Sequence, residues 1–98
     1  MTASLAEVLA SIGANVRARR VARDLSQAAL AAATDLDLRF LQRVERGQTN
    51  LSVAVLVLLG EALDCAPPVF FRPAELEPAR TGRPPSKKVA ARAPRRRR

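Results

Sequence analysis

Apolar residues in the first half of the chain recur every three or four positions, and capping residues punctuate them where helices would begin. Leu5, Val8, Leu9, Ile12 and Val16 form one stripe, the period of an amphipathic helix rather than the alternation of a strand. Ser4 and Glu7 precede it at capping-box spacing, each side chain suited to the other's backbone amide. The pattern predicts helix 1 over residues 5–22, with Arg17, Arg19, Arg20 and Arg23 crowded at the end where the helix dipole favours cations. Ser26 is an N-cap for helix 2, residues 27–34, which is mostly alanine apart from Leu30. Asp37 caps helix 3, Leu38 to Arg46, and Gly47 stops it.

Two short helices joined by a turn of about three residues have the sequence form of a helix-turn-helix. After a polar loop, Ser52 caps helix 4, which runs to about Leu63. Val53, Leu56, Leu59 and Leu63 make its inward stripe, leaving Val55 and Leu58 outward. Pro67–Phe71 can add one helical turn, with proline at its start and the aromatic pair closing the core. From Pro73 onward there is no apolar period, and a Pro-, Ala- and Arg-rich stretch cannot bury enough surface to offset its ordering entropy. The expected architecture is all-α: a compact five-helix domain over residues 1–72 and a disordered basic tail over residues 73–98.

Charge sharpens that division. The net charge is +8 over 98 residues, yet residues 1–66 carry seven Arg against seven acids and cancel. The whole excess lies in residues 67–98, with ten Lys or Arg against Glu75 and Glu77, and such a block reads as an interaction segment for nucleic acid. Cys65 is the single cysteine and there is no histidine. A zinc set, an internal disulfide and a Cys-His nucleophile are thereby excluded, and no cofactor or catalysis is expected. Glu7 interrupts what a signal peptide would need, and the uncharged run Leu51–Gly60 is about half of a bilayer span. The chain is expected to be cytoplasmic, with no membrane partner.

Residues 12–71 resemble the Xre/Cro family of phage-repressor, lambda-repressor-like DNA-binding domains. The likeness is carried by Ile12-Gly with Val16 and Arg20, by Leu25-Ser26-Gln27, by Leu30-Ala31, by Leu41 with Val44-Glu45-Arg46-Gly47, and by Leu56 to Leu63. Ala31 sits where helices 2 and 3 must cross closely, and Leu30, Leu36, Leu41 and Val44 point into their shared core. The resemblance implies that helix 3 enters the major groove of double-stranded DNA. Its outward face would be Leu38, Arg39, Gln42, Arg43 and Arg46, and Arg reads guanine bidentately. Leu38, Arg39 and Arg43 would then meet base edges, Gln27 would bind phosphate or brace the interface, and Gln48 would lie beside them. Arg20 and Glu45 fall where the family forms an ion pair between helices 1 and 3. Asp35 and Asp64 replace the family's glycines at two turns, where Asp tolerates the left-handed region better than most residues. Val55 and Leu58, beside Phe71, suggest a homodimer interface.

Within the tail, Arg80, Gly82, Arg83, Pro84, Lys87 and Lys88 resemble an AT-hook for the minor groove, but Pro85 stands in place of the usual second basic residue, so the segment reads equally as a generic polycation. Arg95, Arg96, Arg97 and Arg98 extend the charge and would bind phosphate. The reading is a dimeric transcriptional regulator on a palindromic operator. Its rivals are a restriction-modification controller protein, to which Glu45–Ser52 bears some likeness, and an antitoxin-like chain that binds a protein partner and autoregulates.

Overall fold

The computed structural model describes residues 3–73, and within them the chain is all-helical. Four α-helices occur, α1 (Leu5–Ala22), α2 (Gln27–Thr34), α3 (Leu38–Glu45) and α4 (Val53–Leu63). The expected fifth helix is a 3-10 turn, Pro67–Phe71: the amides of Val69 and Arg72 bond back three residues, to the carbonyls of Ala66 and Val69, the tighter winding common in a segment of one turn. The tail, residues 74–98, lies outside the described residues.

Local chemistry starts each helix. Ser4 Oγ accepts from the Glu7 amide at 3.1 Å while the Ser4 amide donates to Glu7 Oε1 at 2.9 Å. Ser26 and Ser52 accept from the amides of Ala29 and Val55, and Asp37 Oδ2 accepts from both Arg39 and Phe40. The stops are equally uniform. Leu25, Leu36, Gln48 and Cys65 donate their amides to Arg20, Ala31, Arg43 and Gly60 at 2.9–3.1 Å, the six-to-one bond of a Schellman motif. The residue before each is left-handed: Asp24 (φ 58°), Asp35 (58°), Gly47 (71°) and Asp64 (57°). Asp24 was not anticipated, and helix 3 ends one residue earlier than expected, with Arg46 as its cap.

The core is Ile12, Val16, Leu30, Ala31, Leu41, Val44, Leu56, Leu59, Leu63 and Phe70, with Leu36, Phe40 and Leu51 among the half-buried residues packed against it. α1 packs on α3 and on the 3-10 turn, and α2 on α3 and α4. Gly13 is buried at the crossing of α1 with the end of α3. Asn15 Nδ2 donates to the carbonyls of Phe70 and Arg72, both at 2.9 Å, and straps the 3-10 turn to α1. Thr34, a buried polar residue beside this core, donates to the Leu30 carbonyl at 2.8 Å.

Four packing expectations need correction. Leu5 is 63% exposed, since it lies in the first turn of α1, ahead of the layer that covers Val8 onward. Val53 is 74% exposed: Leu51, just before the cap, packs on the core in the manner of a hydrophobic staple. Val55 is not outward but half-buried against the core, whereas Val57 is exposed. Of the aromatic pair only Phe70 closes the core; Phe71 is half-exposed.

Candidate DNA interface

α3 divides cleanly into two faces. Leu41 and Val44, three residues apart, are buried and fix which side turns to the core. Arg39, Arg43 and Arg46 are therefore exposed, Leu38 is partly so, and Gln42 lies half-buried at the edge. Gln48 is exposed in the loop that follows. No acid lies on the open face, so its three guanidiniums present in-plane donors that suit guanine and phosphate. The Cζ of Arg43 stands 5.9 Å from the centroid of the Phe40 ring.

Behind this face the helix is held by one carboxylate. Arg20 Nε donates to Glu45 Oε2 at 2.6 Å and Nη2 to Oε1 at 3.0 Å, a bidentate pair whose side chains are only 12% and 3% exposed. Arg20 Nη1 also donates to the Leu25 carbonyl at 2.8 Å. Its hydrogen bonding to the Glu45 carboxylate raises the Arg20 pKa above its ordinary value, against the opposing effect of burial. Gln27 Nε2 donates to Glu45 Oε1 at 3.0 Å. Gln27 thus braces α2 against α3 in the free protein, and α1, α2 and α3 converge on Glu45.

The three residues expected at a dimer interface differ in exposure. Leu58 is 38% exposed beside the exposed Val57 on α4, and Val55 packs inward. Phe71 instead borders a groove with Ala3, Ala6, Ala10 and Pro73 along the first half of α1. The expected tail residues, Arg80, Gly82, Arg83, Pro84, Lys87, Lys88 and Arg95 to Arg98, lie outside the described residues. Among the described residues no group of His, Cys, Asp and Glu could hold a metal, and no helix is long and apolar enough to cross a membrane.

The fold is shared with solved regulators. The restriction-modification controller protein C.AhdI from Aeromonas hydrophila is 40% identical over 64% of this chain and 96% of its own, with a TM-score of 0.62. A hypothetical transcription factor, NHTF, from Neisseria is 25% identical over 76% of this chain and 86% of its own, with a TM-score of 0.67. The controller protein C.Esp1396I, solved as a tetramer with its natural 35 base-pair operator, is 26% identical over 65% of this chain and 84% of its own, with a TM-score of 0.59. No curated protein sequence matches significantly. Residues 16–70 match the family described as Helix-turn-helix, HTH_3. With more than half of its length so matched, the chain belongs to the HTH_3 helix-turn-helix family.

Proposed function

We propose that this protein is a sequence-specific transcriptional regulator that binds a short palindromic operator as a homodimer, with α3 in the major groove. The observation that carries the reading is the open face of α3, where Arg39, Arg43 and Arg46 project free of acids while Leu41, Val44 and Glu45 anchor the opposite side. Arg39 and Arg43 read bases, Leu38 touches a thymine methyl, and Gln42, Arg46 and Gln48 contact the edges of the site or its phosphates. Gln27 keeps one Nε2 hydrogen on Glu45 and offers the second to phosphate. The basic tail adds affinity through phosphate neutralisation or the minor groove. The protein acts in the cytoplasm, on DNA, and performs no catalysis.

A narrower reading is a controller of a restriction-modification system. It is favoured by the 40% identity to C.AhdI over nearly the whole of that chain. A methyltransferase or nuclease gene beside this one would support it.

Selection of bound fragments from random genomic DNA tests the main reading. The expected result is enrichment of a two-fold symmetric site whose half-sites are about one helical turn apart. Arg43→Ala should then weaken operator binding by about 1–3 kcal/mol and leave random DNA almost unaffected. No enriched sequence, or equal losses on both DNAs, would overturn it.

A further inference from the structure

Among the described residues, Arg43 is the one cation seated over an aromatic ring, that of Phe40 three residues earlier on the same helix. The Phe40 side chain packs against the core, and its backbone amide donates to Asp37 Oδ2 at 3.2 Å in the cap of α3. A cation within about 6 Å of a ring centroid is attracted to the negative face of the ring, modestly at exposed sites. A guanidinium so held keeps its in-plane N–H groups available, and those are the groups that pair with O6 and N7 of guanine. A free arginine loses rotamer freedom when it docks on a base, and one already held loses less.

We propose that Phe40 is a positioning residue, which holds Arg43 before DNA arrives and so sharpens the preference for guanine at the base pair Arg43 reads. The specificity half rests on the reading of Arg43 as a base contact; the held side chain in the free protein does not. A purely structural Phe40 would alter stability, and binding to every DNA equally.

Two measurements on the full chain separate these. Relaxation of the arginine Nε–Hε groups without DNA should show Arg43 more ordered than Arg39 and Arg46, and equal order in all three overturns the proposal. The ratio of operator to random-DNA affinity should fall about threefold in Phe40→Leu, the scale of an exposed cation–ring contact. Phe40→Tyr, which keeps the ring, should retain the ratio, and Phe40→Leu should add nothing in an Arg43→Ala background. A loss equal on both DNAs, or one that persists in that background, assigns Phe40 to the core alone. If Arg43→Ala leaves the ratio unchanged while Arg43 is ordered, the base-contact reading has failed. If Arg43→Ala lowers the ratio while Arg43 is as mobile as its neighbours, the proposal alone has failed.

Discussion

Gly13 faces the backbone carbonyl of Glu45 so closely that a β-carbon on Gly13 would stand 2.7 Å from that oxygen, with the Val44 carbonyl nearer still. Both obstacles are backbone, so neither can rotate away. Gly13→Ala should therefore destabilise the domain by about 1–3 kcal/mol, overpacking outweighing alanine's better helix propensity. Thermal melting checks this; an unchanged or raised midpoint would show that α1 and α3 can separate freely.

Glu45→Ala should cost more than the loss of a surface ion pair. It leaves the nearly buried Arg20 guanidinium and the Gln27 amide without their acceptor. The expected loss is on the order of 2–3 kcal/mol, or about 10 °C or more in Tm for a domain of this size. A shift of only a degree or two would place the pair with ordinary surface charges.

Asp64→Gly should stabilise. Asp64 is left-handed at φ 57°, and it places a negative charge at the C-terminal end of α4, which the dipole disfavours. Relief of both outweighs the extra entropy of glycine in the unfolded chain, for a net gain of about 0.5–1 kcal/mol. Denaturant titration reads the gain directly, and a loss would mean that the aspartate makes a compensating contact.

Leu58→Glu should turn a dimer into a folded monomer, since Leu58 is 38% exposed beside Val57 on the outer side of α4. Val55→Glu should instead unfold the domain, because Val55 packs on the core. Sedimentation together with circular dichroism distinguishes the two, and a Leu58→Glu chain that remains dimeric moves the interface elsewhere.

Truncation after Pro78 removes nine Lys or Arg and should leave operator preference intact. If about half of those cations meet phosphate, the slope of log K against log salt becomes shallower by about 4, at about 0.9 per phosphate. An unchanged slope would show that the tail serves something other than DNA.

The helices were legible because their punctuation is local. Ser4, Ser26, Asp37 and Ser52 each cap through a residue two or three positions away, within reach of a sequence pattern. Burial at the margins was less legible. A stripe of apolar residues tells which side faces inward, but not where the covering layer ends, and so Leu5 and Val53 lie outside it. Val55 and Phe71 were misjudged for the same reason, since the neighbours that cover one and spare the other come from distant parts of the chain. Asn15 carried no signal at all: its partners lie more than fifty residues away, and a lone asparagine within a helix marks nothing. At the interface, the arginine face of α3 follows from Leu41 and Val44 alone. The bond from Gln27 to Glu45 needed the angle between α2 and α3, which no local pattern encodes.

The contact between Arg20 and Glu45 has a direction. Arg20 also gives a donor to the Leu25 carbonyl, and Glu45 also takes one from Gln27. Exchanging the two residues would keep the charges opposite, and Gln27 could turn its amide oxygen toward a guanidinium at position 45, yet a carboxylate at position 20 would face the Leu25 carbonyl oxygen. The pair is thus handed like a key in its lock: a charge swap, the usual way to rescue a broken ion pair, would fail here, and only a change at the turn through Leu25 could make the reversed pair fit.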